Sequence, residues 1–441
     1  MGVESSRTVL EVASNDDPSA RSGSVSPAVP HPSTSRRTRE AVGDVLAHGT
    51  VDIGFQPVVD LVSQRTVGFE ALARGPIGTE LETPGALFDA ARDAGRLDEL
   101  DWLCQRSALR AALRAGLRAP SVLFVNVEAD SSGFLPLDLR ALYAEATAQM
   151  VVAVELTERA LTRRPGALLG RVADMRALGC VLALDDVGGA SDSLPMMAVL
   201  APEVVRLDLA ELAERPEDDL AVVVDAVAAH AERAGATVLV ERVETPEQAR
   251  LASTLGARLA QGWLFGRRES LVSAPAPPAE RQVQAAFHPD PRDTTPFQIL
   301  AQECAVRRAG RTLLTGLSRH LEDQARAMGR NAIIVGAFTG DERFDADARR
   351  RYADLARDLA FCGVVGTEMP VEPAAGVRGG RLHAADPLAR EWTVSVVSPH
   401  ASATLTASAP GTGDGTYDYA LTHDRELAAA ATAALMARIA T

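Results

Sequence analysis

The 441-residue sequence predicts an α/β protein: a modified (β/α)8, TIM-like barrel followed by a smaller α+β domain. Three observations carry this expectation. Short apolar runs recur from Val51 to Gly262 and alternate with helical stretches, as in a parallel sheet covered on both faces. Nearly every run closes on an acid or an amide. A Pro- and Ala-rich stretch, 273–294, then separates this repeat from a region of different pattern.

In chain order, residues 1–37 are rich in Ser, Pro and Arg with little periodicity, which predicts a disordered tail. The Ala/Val/Leu spacing from Arg36 to His48 predicts a short helix. Residues 52–59 and 66–74 are two strands so close together that a hairpin is expected. Helices follow at 84–94 and 97–115. Further strands are expected at 121–126, 151–158, 181–186, 204–208, 237–244 and 257–262, with a helix over 220–234. About eight strands in this span fit one barrel, 38–272. After the 273–294 linker, the domain at 295–441 is expected to open with one long helix, 297–328. Strands at 331–338, 361–366, 392–398 and 402–408, a helix at 349–359, a loop at 411–415 and a closing helix at 423–439 complete it.

Net charge is −14 and pI about 5.1, which argues against binding nucleic acid through its phosphates. The chain has no lysine, so every basic side chain other than histidine is arginine. The four cysteines stand far apart and read as buried apolar filler in a reducing compartment. No apolar run reaches the ~18 residues of a membrane span, and no secretion signal opens the chain. A cytoplasmic protein without membrane contact is expected.

The most telling stretch is Val181-Leu182-Ala183-Leu184-Asp185-Asp186. Side chains alternate along a strand, so two adjacent acids cannot both face one buried side. The pair belongs where a strand stops, and two carboxylates held together call for a cation or a proton between them. In a barrel the carboxyl ends of all strands face one mouth. Glu70, Asn126, Glu155, Asp185, Asp186, Glu241 and Gln261 close their strands in this way. Hard oxygen ligands in such number suit Mg²⁺ or Mn²⁺, and two ions can clamp a phosphodiester and activate water. Arg74, four residues beyond Glu70, is placed to supply a bidentate fork for phosphate.

These residues carry a resemblance. Phe69-Glu70-Ala71-Leu72-Ala73-Arg74 resembles the signature of the EAL-domain phosphodiesterases, which hydrolyse cyclic di-GMP to linear pGpG. Phe55-Gln56-Pro57, Asn126, Glu155-Leu156-Thr157-Glu158, Asp185-Asp186, Glu241-Arg242-Val243-Glu244 and Gln261-Gly262 follow in the family's order. The resemblance implies a barrel whose first strand runs antiparallel. It implies Glu70, Asn126, Glu155 and Asp185 as metal ligands, with Asp186 beside the second of two Mg²⁺ or Mn²⁺ ions. Glu241 is implied as base or water-positioning group, and Glu158 as support for the loop after the aspartates. Gln56, Arg74, Asp208, Glu244 and Gln261 are implied to contact the substrate. Arg206 stands in the catalytic set where the family has lysine. The loop after the aspartates also departs from the pattern, at Val187, Gly189, Ala190 and Ser191, and Arg268 stands where proline is usual. The alternative implied by Arg206 is a weak or inactive domain acting as a cyclic di-GMP receptor. A homodimer through the barrel belongs to the same expectation.

Arg311 to Asp323, Ile333 to Phe338 and Arg351 to Ala356 resemble the DICT domain, a sensory module attached to bacterial signalling outputs. The resemblance implies regulation of the barrel by a signal that these residues leave unknown.

Overall fold

The structure is a computed structural model. It describes residues 32–441 except 129–134, 158–163, 189–193, 277, 279, 281–282, 284, 287, 339–343, 410–414 and 440–441. The stretch expected to be disordered lies outside the described residues up to 31. The first helix, α1, runs Pro32–His48 and so starts four residues before Arg36.

Eight strands close a barrel in sequence order: β1 (Asp52–Asp60), β2 (Arg65–Arg74), β3 (Val122–Asn126), β4 (Val151–Thr157), β5 (Val181–Asp185), β6 (Val204–Asp208), β7 (Thr237–Glu241) and β8 (Leu259–Gln261). The β1–β2 hairpin is present, and β1 runs antiparallel to both its neighbours while the others are parallel. Gly68 permits the close β2–β3 approach, since a Cβ there would lie 2.3 Å from the Val122 carbonyl oxygen. The outer helices are α2 (Pro84–Asp93), α3 (Leu97–Ala115), α4 (Leu137–Thr147), α5 (Pro165–Ala177), α6 (Leu194–Leu200), α7 (Leu209–Ala213), α8 (Glu217–Ala234) and α9 (Pro246–Thr254).

Inside the barrel, Val58, Val122, Phe124, Val151, Val181, Val204, Leu239 and Leu259 form a packed floor. Val283, from the Pro- and Ala-rich linker, is fully buried in that same cluster. The described part of the linker around Val283 therefore lies at the lower end of the barrel. It is pinned there by His288 to Glu203 at 3.1 Å and Arg292 to Asp174 at 2.7 Å.

The second domain contains α10 (Pro296–Glu303), β9 (Arg307–Gly310), α11 (Arg311–Met328), β10 (Ile333–Ala337), α12 (Ala346–Asp358), β11 (Phe361–Gly366), β12 (Arg378–Arg381), β13 (Glu391–Val397), β14 (Ser402–Ser408), β15 (Thr416–Thr422) and α13 (Arg425–Met436). Its seven strands form one mixed sheet in the order β12-β11-β10-β13-β14-β15-β9. The single helix expected over 297–328 is two helices, because β9 interrupts it to pair with β15. Thr295 caps α10 through a capping box with Gln298, and Gly310 ends the strand and starts α11.

The two domains share apolar packing. One cluster takes in Leu168, Leu169, Met197 and Leu200 of the barrel helices together with Ala433, Leu435, Met436 and Ile439 at the end of the chain. The approach is close: a Cβ on Gly166 would lie 2.7 Å from the Ile439 carbonyl oxygen. Arg233 donates to the Pro399 carbonyl at 3.1 Å, and His400 meets Asp225 at 3.1 Å. On its other side α13 lies over a hydroxyl-lined sheet face, where Ser395 meets Thr432 at 2.7 Å.

Candidate metal and phosphate site

Register brings the predicted residues to one end of the barrel. Gln56 pairs with Glu70, Asn126 with Glu155, Thr157 with Asp185, and Asp208 with Glu241 on neighbouring strands. Glu70, Glu155, Arg206, Asp208 and Gln261 are all buried. A polar chain links them: the Gln261 amide donates to Gln56 Oε1 at 3.2 Å and to Glu70 Oε2 at 2.7 Å. Asn126 Nδ2 donates to Glu70 Oε1 at 3.1 Å, and Gln56 Nε2 to the Gly266 carbonyl at 3.1 Å.

Arg206 is the hub. It rises from β6 with 1% of its surface exposed, and its Cζ lies 5.9 Å from the centre of the Phe124 ring below it. Its guanidinium reaches Glu70 at 3.2 Å and Asp185 at 3.4 Å, and also contacts Glu155 and Glu241. Burial would depress its basicity, but the Glu241 and Glu70 carboxylates more than offset this and raise it. Burial, then the like charges of Glu241, Asp186 and Glu70, holds the Asp185 carboxyl well above its usual range. Glu241 is also raised, chiefly by burial and against the pull of Arg206.

Glu155 is 2% exposed, and Arg206 Nη1 lies directly against it. A buried carboxylate among other hard oxygen donors fits a hard divalent cation.

Asp186 leaves its strand with a left-handed φ of 56°, which turns it away from Asp185. Its ligand atoms come within 4.8 Å of those of Asp208 and Glu211. Asp208 accepts from the Ala210 amide at 2.8 Å as the cap of α7 and pairs with Arg242 at 2.8 Å. The sequence reading grouped Asp186 with Asp185 and passed over Glu211. A helix one turn past a strand-ending aspartate was the signal for it.

Arg74 is half-buried and donates to its neighbour's carbonyl, Ala73 O, at 2.8 Å. Burial first, then nearby Arg268, lowers its basicity. Arg268, at the position usual for proline, ties β1 to β2 through Asp52 O at 3.0 Å and Leu72 O at 3.1 Å. The Glu244 side chain is exposed, beyond the polar chain, and its amide donates to Gln248 Oε1 at 2.7 Å. Glu158, Gly189, Ala190 and Ser191 lie outside the described residues.

Beside Glu70 and Asn126 opens a cavity of about 280 Å³, lined by Arg74, Phe88, Asp101, Gln105 and Glu128 among others. Asp101 was not foreseen. It is 1% exposed, and burial pushes its carboxyl up to about 6 even though Arg171 sits 3.0 Å away. It also accepts from the Glu128 amide at 3.1 Å.

Comparisons with known proteins match both halves. The EAL domain model matches residues 36–268. The model described as the sensory domain in diguanylate cyclases and two-component systems (DICT) matches 299–410. The cyclic di-GMP phosphodiesterase RocR of Pseudomonas aeruginosa is 31% identical over 239 residues, 52% of this chain and 60% of RocR. An uncharacterized protein of Azorhizobium caulinodans is 28% identical over 241 residues, 52% of this chain and only 33% of its own length. The chain thus spans about a third of that relative. A solved structure, Klebsiella pneumoniae BlrP1 in a manganese and cyclic di-GMP complex, aligns at 25% identity and a TM-score of 0.43 over 50% of this chain and 56% of that one.

Proposed function

This chain belongs to the EAL family, and on that premise we propose that its barrel hydrolyses cyclic di-GMP to linear pGpG under control of its DICT domain. The observation that carries the proposal is the ring of Glu70, Asn126, Glu155, Asp185 and Glu241 around one barrel mouth, with an arginine fork beside it. Glu70, Asn126, Glu155 and Asp185 would hold one Mg²⁺ or Mn²⁺ ion, and Asp186 would stand by a second. Bound there, such ions supply Lewis-acid polarisation of the phosphodiester and an acidified water.

The chain's own residues do the rest. Arg74 places a planar cation for a non-bridging phosphate oxygen. Gln56 and Gln261, fixed to each other and to Glu70, hold the mouth in shape. Asp208 and Glu244 line the substrate's approach from β6 and the turn after β7, and Glu158 would steady the loop after the aspartates. Glu241 takes the proton of the attacking water, as burial that raises its carboxyl favours. Water adds to phosphorus, one P–O3′ bond breaks, and the 3′ oxygen leaves with a proton from solvent.

Control by the second domain is supported by packing. α13 rests on α5 and α6, and α6 is the first described helix after Asp186. A shift of α13 would reach the aspartates through that helix. The signal is unassigned, and a homodimer through the barrel remains part of the proposal. Among the described residues no helix is long and apolar enough to cross a membrane.

A second reading is favoured by Arg206, whose guanidinium lies among the carboxylates: a domain that binds cyclic di-GMP and turns it over slowly or not at all. Turnover of the full chain with Mn²⁺ separates the two. The enzyme reading expects pGpG, and a loss of at least about 100-fold in Glu70→Ala. Binding without product, with turnover gained in Arg206→Lys, would support the receptor.

A further inference from the structure

The guanidinium of Arg206 and a divalent cation would need the same oxygens. Arg206 spends each of its three nitrogens on this site. Nε faces Asp185 at 3.4 Å, Nη2 faces Glu70 at 3.2 Å and Gln261 Oε1 at 3.5 Å, and Nη1 lies against Glu155. Glu241 takes the edge between Nε and Nη2. An ammonium is a compact charge and would leave most of these oxygens free, whereas a guanidinium spans several carboxylates at once and is always charged. Phe124 backs it from beneath, so it cannot sink further into the barrel.

The fit is unequal around the ring. Glu70 and Glu241 receive hydrogen bonds from Arg206, while Glu155 and Asp185 have its charge beside them.

We propose that Arg206 is a tethered counter-cation that competes with divalent metal for Glu70, Glu155 and Asp185. Metal loading in this chain then requires the guanidinium to move, and affinity is set by that displacement. The inference rests on the ring being a metal site, but not on hydrolysis. It makes the fold independent of metal: the carboxylates carry their own cation when none is bound.

The test uses full-length protein without nucleotide. Mn²⁺ is titrated calorimetrically, with free Mn²⁺ followed by electron paramagnetic resonance, against wild type, Arg206→Lys and Arg206→Met. Melting is recorded in EDTA and in Mn²⁺. We expect Arg206→Lys to bind Mn²⁺ about 10–100-fold more tightly than wild type, the range for residues that flank metal ligands. Wild type should melt at nearly one temperature with and without Mn²⁺, while Arg206→Met should melt lower in EDTA and recover in Mn²⁺. Should Arg206→Met fail to fold in EDTA but fold in Mn²⁺, the inference stands. Wild type binding Mn²⁺ as tightly as Arg206→Lys overturns it and leaves the hydrolytic reading intact. No Mn²⁺ binding in any variant overturns it together with the metal site. Tightened Mn²⁺ binding in Arg206→Lys, together with no pGpG in the separate turnover assay, sinks hydrolysis alone.

Discussion

Replacing Arg171 by methionine should destabilise the barrel in a way that pH reveals. Arg171 and Asp101 lie on α5 and α3, 3.0 Å apart, with 5% and 2% of their side chains exposed. Removing one partner of such a pair costs about 3–5 kcal/mol, mostly from the charge left buried alone. Arg171 also donates to the Glu128 carbonyl at 3.3 Å, a bond worth about 1 kcal/mol. Asp101, however, already stands at about 6 because of burial, against an ordinary 3.8. With its raised value, the native state favours the protonated acid, so this group's stabilisation is complete below pH 3.8 and is lost as pH rises through about 6. Without Arg171 its value rises further. The cost of Arg171→Met should therefore be about 4 kcal/mol at pH 8 and about 1–2 kcal/mol at pH 5. Urea unfolding followed by tryptophan fluorescence, with Trp102 next to Asp101 as a local reporter, gives both values. Asp101→Asn combined with Arg171→Met should cost less at pH 8 than Arg171→Met alone, since no charge is left behind. A cost that is the same at both pH values, or strict additivity in the double variant, would refute the reasoning.

Other outcomes follow from the same geometry. Glu391, the first residue of β13, is buried against the start of α10, where it accepts from the Phe297 amide at 3.1 Å, and burial raises it to about 7. Its stabilisation is present below about pH 4.5 and lost as pH rises through about 7, so Glu391→Gln should gain up to about 3 kcal/mol at pH 8.5 and almost nothing at pH 5, read by thermal melts. Arg74→Lys keeps charge but loses the planar fork, and should weaken cyclic di-GMP binding about tenfold by calorimetry while the melting temperature stays put. Gly166→Val drives a side chain against the Ile439 and Ala437 carbonyl oxygens, 2.7 and 2.9 Å from a Cβ. It should cost about 1–3 kcal/mol and speed proteolysis near α13; unchanged cyclic di-GMP turnover in a variant so loosened would remove the packing route for regulation.

The barrel was legible because its strands are buried on both faces and so appear as unbroken apolar runs. The antiparallel β1 was legible too, since a connection as short as 61–64 allows a hairpin and forbids a crossover helix. Edge strands of the second domain gave no such signal. Arg307–Gly310 and Arg378–Arg381 hold only arginine, glycine and Ala309, and each is held by backbone pairing to one neighbour. β15 does alternate, through Tyr417, Tyr419 and Leu421, but follows a glycine-rich stretch that masked it. The linker's packing was hidden by its composition. Pro and Ala marked a boundary between domains but not that Val283 within it completes the barrel floor, a role decided by a single side chain.

The site divides in the same way. Strand-end acids were visible because chain position alone sends them to one mouth. Asp101 and Arg171 were invisible because they sit within helices, 70 positions apart, and meet only when α3 and α5 pack side by side. Arg206 lies between these cases. Its exchange for lysine is plain in the sequence, but its consequence depends on reach. From β6, a side chain of arginine's length arrives between Glu70, Asp185 and Glu241 from three other strands. A buried cation so placed must answer to all of these carboxylates at once, so any ion that binds there has to outbid it at several oxygens together. If the proposed reading holds, this one substitution bears on metal affinity, on the fold's stability without metal, and on the rate of phosphodiester cleavage together.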